Sequence, residues 1–157
     1  MNPPVAPANT SRRPRAVERG YGLLRLMALT LVLGAAAPAP EAPRYPADTV
    51  LLLVAPWCAP CHAELARLDT IAAAARSRAV RVFMVEDGAR AAAMWRRVPE
   101  AYRWTPPDGE VRRYRTDALA RAAGLPFAIA TDARGHVCAT RDGGMDAVRV
   151  VALVGAC

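Results

Sequence analysis

Cys58-Ala-Pro-Cys61-His62 is the densest group of chemically capable residues in the sequence. Two cysteines with a two-residue spacer on a helical turn bring their sulfurs close enough to bond. The thiolate is the nucleophile of disulfide exchange. A helix start offers free N–H groups and the positive end of the dipole, which lower a thiol's pKa. Cys58 is therefore expected to be the exposed attacker, and Cys61, one turn later and inside, the thiol that resolves the mixed disulfide. Trp57 would shield the pair, and Pro60 falls in the first turn, where a missing N–H does no harm. The same letters also satisfy C-x-x-C-H, the attachment motif of c-type haem, with His62 as proximal ligand and Met94, Met145 or His136 as distal ligand. Against haem stands the buried apolar strand that runs straight into the motif, since cytochromes c are largely helical. Structural zinc is a weaker reading still. A permanent structural disulfide at this spacing closes almost no loop and adds little stability. The expectation is a redox dithiol that needs no cofactor and no metal.

The elements that would position this pair can be read from periodicity. Thr49-Val-Leu-Leu-Leu-Val-Ala55 is a continuous apolar run of strand length, suited to a central strand buried on both faces. From Cys58 to Arg76 the pattern turns helical, with Leu65, Leu68, Ile71 and Ala72 on one face. Ala79 to Val85 is the next strand, and Asp87 is expected to cap a helix over 88–97. Glu86 and Asp87 end a strand parallel to the first, which puts them on the same edge as the dithiol. Glu86 is thus a candidate for proton transfer. His62 is another, its charge tuning Cys58; the alternative is an exposed residue in the helix's first turn. Pro99, Pro106, Pro107 and Gly109 break the stretch from Val98 to Arg113, where Tyr102 and Trp104 are apolar anchors. Thr116 or Asp117 is expected to open a short helix ending at Gly124. Phe127–Thr131 and His136–Thr140 read as strands joined by the turn Asp132-Ala-Arg-Gly135, and Asp146 to Gly155 as a closing amphipathic helix. The order is β-α-β, helix, β-β-α.

Ala55-Pro-Trp-Cys-Ala-Pro-Cys-His-Ala-Glu-Leu65, followed far downstream by Leu125-Pro126 just before the third strand, resembles the thioredoxin superfamily. The resemblance is to its exported TlpA-like branch in particular, which also serves cytochrome c maturation, and it covers about residues 48–157. It implies an α/β thioredoxin-like fold, a central mixed β-sheet flanked by helices, and thiol–disulfide oxidoreductase activity. It also implies a cis-proline loop at Leu125-Pro126 facing the dithiol, with Pro126 offering a backbone edge to an extended substrate. The implied partners are an exported protein bearing a disulfide or dithiol and an upstream thiol electron donor. A proline before the second cysteine and the TlpA-like context favour a reductase, while oxidase and isomerase directions stay open. Glu64 matches a family position, and it would equally serve as a favourable charge near a helix N-terminus. Two departures stand out. Leu52 occupies the position of the buried acid of thioredoxins, so Glu86, water or the substrate would have to take the proton of Cys61. Phe127 stands where many relatives have Thr. The rival class is a non-enzymatic binding module that keeps the fold and holds a partner on its cis-proline edge.

The formal charge of +7 on 157 residues does not make a nucleic-acid protein. Arg12, Arg13, Arg15, Arg19 and Arg25 lie at the front against Glu18 alone, which leaves only +3 for the rest, with no aromatic–basic stripe. This front is read as an address over residues 1–37, namely an Arg-rich stretch, the uncharged run from Leu26 to Ala37, and small residues suiting cleavage after Ala36. The run is shorter than the ~20 residues of a membrane-spanning helix, and an uncleaved membrane anchor is the alternative. Residues 38–48 read as a Pro-rich linker and 49–157 as the domain. The expected location is periplasmic or otherwise extracytoplasmic, free or tethered to the inner membrane by the N-terminal segment. In such an oxidising compartment Cys138 and Cys157 become candidates for a structural disulfide. A helix of ~1.5 Å rise per residue can run back along a strand of ~3.3 Å rise and return Cys157 near Cys138. The alternative is a small buried Cys138 and a free terminal thiol.

Overall fold

The computed structural model describes residues 41–157, so the expected leader and the start of the linker lie outside the described residues. Strand β1 (Thr49–Val54) is buried at every position. It pairs in parallel with β2 (Ala79–Met84) on one side and antiparallel with β3 (Phe127–Thr131) on the other. β3 in turn pairs antiparallel with β4 (Val137–Asp142), so the sheet order is β2-β1-β3-β4. A strand paired on both edges and covered on both faces tolerates no polar alternation, which is why 49–54 and 127–131 are continuous apolar runs. β4, at the edge, is partly exposed or exposed throughout and ends in Arg141 and Asp142, charges that discourage edge-to-edge pairing. The helices are α1 (Ala59–Leu65), α2 (Leu68–Ala75), α3 (Ala89–Trp95), α4 (Val111–Ala120) and α5 (Ala147–Gly155), with a 3-10 turn at Glu100–Tyr102. α1 and α2 form the crossover between the parallel strands, and α5 returns after the β3–β4 hairpin to pack on α2. The fold is thioredoxin-like.

The helix expected over 58–76 divides in two. Arg67 leaves the helical region, with φ −115° and ψ 14°, and its N–H bonds the Glu64 carbonyl in a tightened last turn. The buried positions Cys61, Glu64, Leu68, Ile71 and Ala75 still follow at spacings of three and four. Both halves keep one face inward, so periodicity carries no trace of the break. Asp87 does not cap α3. Gly88 takes that place, with φ +96° that favours glycine, and the Asp87 carboxylate receives both terminal nitrogens of Arg115 at 2.9 Å. α4 opens at Val111 instead of at Thr116 or Asp117, and ends at Ala120, before Gly124. Asp117 sits inside it, accepting the Tyr45 hydroxyl at 2.7 Å and pairing with Arg121 at 3.1 Å. Burial alone would raise the Asp117 carboxyl's pKa, but the bonds from Arg121 and Tyr45 outweigh it and hold the pKa below the usual range. A tertiary partner has overridden the capping preference of an aspartate.

That partner comes from the segment read as linker. Tyr45 is buried, donates its N–H to the Gly135 carbonyl at 3.0 Å, and lies edge-on to Tyr114 with ring centroids 5.2 Å apart. A Cβ on Gly135 would stand 2.2 Å from the Tyr45 carbonyl oxygen, so only glycine admits the approach. The domain therefore begins before Thr49. One aromatic residue, inconspicuous among Pro43 and Pro46, ties the approach segment to the hairpin turn and to α4.

Cys138 on β4 and Cys157 after α5 are bonded, with a sequence separation of 19 and a Cα–Cα distance of 5.2 Å. A cross-link closing a loop of this size contributes about 3 kcal/mol in the chain-entropy model. The double variant Cys138→Ser/Cys157→Ser is expected to lose stability on that scale, read as a lower urea midpoint. An unchanged midpoint would show that the packing of α5 on α2 holds the terminus unaided.

Candidate active site

β1 delivers the chain, still buried at Ala55, to a tight turn in which the Cys58 N–H bonds the Ala55 carbonyl at 3.1 Å. Cys58 is the N-cap of α1, with φ −82° and ψ 94°, and its Sγ accepts the Cys61 N–H at 3.2 Å. A sulfur thus fills the capping place usually taken by a Ser, Thr or Asp oxygen, and Pro60 sits in the first turn where no N–H is needed. The two sulfurs are bonded at 2.02 Å, with Cα atoms 5.2 Å apart. Cys61 is fully buried. Cys58 is only 2% exposed, a departure from the open attacker expected, because in this oxidised state its sulfur is turned inward to Cys61 and to that residue's N–H.

Trp57 is 64% exposed, and its indole N–H donates to Glu86 Oε1. The parallel register Val54↔Met84, extended by the Val85 N–H to the Val54 carbonyl at 3.0 Å, brings Glu86 to the edge where the dithiol sits. The proximity read from the sequence holds, but Glu86 is engaged by the indole. His62 is exposed, with Nε2 3.0 Å from the Pro56 carbonyl oxygen, so a proton on Nε2 anchors the ring to the turn ahead of the dithiol. His136 lies in the β3–β4 turn, where its backbone N–H bonds Asp132, at the opposite end of the sheet. Met94 and Met145 are buried in the core.

Leu125-Pro126, a cis peptide bond, enters β3 beside the end of β1, since Phe127 pairs with Leu53. The buried Pro126 accepts the Gly143 N–H at 2.9 Å. Next in the chain, a Cβ on Gly144 would meet the Pro126 ring at 3.6 Å, and the Met145 N–H donates to Glu64 Oε1 at 2.6 Å. Residues 143–145 therefore link the proline loop to the helix of the dithiol.

Glu64 is the residue whose importance the sequence understated. It lies in the last turn of the seven-residue α1, away from the N-terminal charge, and is 1% exposed. Burial pushes its carboxyl up to about 7, against the Met145 N–H and the charge of Arg67, and its Oε2 has no hydrogen-bond partner among the described residues. Cys61 and Glu64 are three apart on the buried face, a spacing that sets Cβ atoms about 5–6 Å from each other. Leu52, where thioredoxins carry their buried acid, is apolar and fully buried in β1. A carboxylate interrupting the apolar stripe 61, 64, 68, 71, 75 was the available signal.

No family model matches the chain, and none of the curated proteins matches it. Among solved structures, it is similar to StoA from Bacillus subtilis, with a TM-score of 0.48 and 18% identity over 71% of this chain and 84% of that one.

Proposed function

We propose that this chain is an exported thiol–disulfide oxidoreductase that reduces disulfides of another exported protein through Cys58 and Cys61. The observation that carries the reading is the bonded pair at the β1–α1 junction, with one sulfur capping the helix and a buried carboxylate one turn further on. In the reducing direction, the Cys58 thiolate attacks one sulfur of the partner's disulfide. The partner's other sulfur leaves as a thiolate and takes a proton. Cys61 then loses its proton and attacks Cys58 Sγ, expelling the partner's second sulfur. Two electrons pass to the partner, and the Cys58–Cys61 bond seen here is the product. An upstream dithiol must reduce it again. Glu64, ionising near neutrality, takes the proton of Cys61 in place of the acid missing at Leu52. The pairing of all four cysteines suits an oxidising compartment, and the TlpA-like motif, the proline before Cys61 and the Arg-rich leader favour an exported reductase.

Catalysed reduction of insulin by dithiothreitol tests this. Wild-type protein is expected to shorten the lag before insulin precipitates, and Cys58→Ser to behave as buffer. A wild-type protein without effect, whose Cys58–Cys61 bond resists reduction, would leave the binding module as the reading.

A further inference from the structure

Phe83, Met84, Ala91, Trp95, Trp104 and Val111 wall a pocket of about 260 Å³ at the edge of β2. Glu86, Asp87 and Arg115 also line it. The pocket shares a residue with the dithiol site, since Glu86 is the acceptor of the Trp57 N–H and Trp57 precedes Cys58.

The wall is built to stay in place. Trp104 donates its N–H to the Val82 carbonyl at 3.0 Å, and Arg103 pairs with Val82 as one parallel bridge beyond β2. The Trp104 ring stands edge-on to Phe83 at 5.2 Å and to Tyr114 at 5.3 Å. The bidentate Arg115–Asp87 pair holds the β2–α3 turn to α4. A pocket formed in advance lets an incoming group bind without ordering the wall first.

Its size and lining restrict what fits. Pockets for drug-sized ligands run from about 300 to 1,000 Å³, so this one suits a single large side chain better than a nucleotide or a haem. Aromatic walls favour an aromatic guest, through edge and offset contacts on top of burial. Arg115 compensates Asp87, while Glu86 forms no ion pair among the described residues, which leaves the lining with a net negative charge. Taking the thiol–disulfide reading as its basis, we infer that this pocket receives an aromatic side chain from the partner's cysteine-bearing segment, one flanked by basic or neutral residues, and so selects which disulfides reach Cys58.

The test uses synthetic peptides with one arginine and one cysteine, the cysteine held as a mixed disulfide with thionitrobenzoate. One Phe is scanned through the three positions on either side of the cysteine, against an all-Ala version. Thionitrobenzoate release by the reduced protein is expected to be at least tenfold faster with Phe at one of these positions. Ala92→Trp and Thr105→Trp, which fill the pocket from exposed positions, are expected to bring the Phe/Ala rate ratio close to one. Because the ratio is taken within each protein, a general loss of activity cancels. A companion measurement follows Trp fluorescence of the oxidised protein with the same peptides carrying serine for cysteine. Saturable binding of the Phe peptide alone, abolished in both variants, supports the pocket even if no peptide releases thionitrobenzoate, in which case the dithiol reading fails by itself. Release without any Phe preference overturns the pocket and leaves the dithiol reading standing. A preference that survives in both filled variants overturns it as well.

Discussion

Cys61→Ser is expected to accumulate covalent complexes in which a partner cysteine is bonded to Cys58, while Cys58→Ser accumulates none. The asymmetry follows from the two positions. Cys58 caps the helix at the end of the β1–α1 turn and Cys61 lies one turn further in with no exposure, so the attack on the partner is assigned to Cys58 and the attack on the sulfur of Cys58 to Cys61. Removing the attacking thiol should lower turnover by more than about a thousandfold, the scale on which loss of a covalent nucleophile acts. Stability should change little, because a bond between residues three apart closes almost no loop. Non-reducing electrophoresis and mass mapping of the trapped species check the assignment. Equal trapping by both variants would reverse or merge the two roles.

Glu64→Gln is expected to separate protonation from packing. Glutamine keeps an acceptor for the Met145 N–H, fills nearly the same volume and cannot ionise. Burial pushes the wild-type carboxyl up to about 7 when folded, from its ordinary value of 4.5 when unfolded. Between these values the folded chain binds more protons, so wild-type stability falls as pH rises from about 4.5 to 7 and the penalty is complete above 7. A shift of this size corresponds to on the order of 3 kcal/mol. Glu64→Gln should therefore be as stable as wild type near pH 4.5 and more stable at pH 8 by up to that amount. Its catalysis should move the other way. Without an acceptor for the Cys61 proton, resolution of the mixed disulfide should slow by about a hundredfold, the lower range for a general base, and the rise in rate through pH 7 should disappear. Urea titrations across pH and rates of mixed-disulfide resolution check both halves. A variant less stable than wild type at pH 8 would show that the carboxylate is held by interactions stronger than its burial penalty.

Gain in stability with loss of function at one residue is the pattern of a group retained for chemistry. Burying a carboxylate with one oxygen unpartnered is unfavourable for folding. The same burial sets its ionisation near neutrality, where a proton acceptor for a thiol is useful.

The fold was legible wherever local pattern and tertiary environment agree. The buried runs 49–54 and 127–131, the C-x-x-C at a helix start, the turn before His136 and the closing helix after Asp146 each follow from a few adjacent residues, and the structure repeats them. The motif by itself placed Cys58 and Cys61 on one helical turn after a central strand. It could not decide burial: the exposed attacker it suggests at Cys58 is covered, and Glu64, which it offers as a family position or as a favourable charge near the helix start, is enclosed. An aspartate near a helix start prefers to cap it, which is what the sequence suggests for Asp87 and, with Thr116 as the alternative, for Asp117. Arg115 and Tyr45, distant in sequence, claimed them instead. The break at Arg67 was invisible because both helices keep the same inward face. What the sequence by itself determined was the four strands in their order along the chain and the pairing of Cys58 with Cys61 at a helix start. Only the tertiary structure decided which polar groups would be buried and which partners they would meet, because such contacts join residues dozens of positions apart and leave no local periodicity to read.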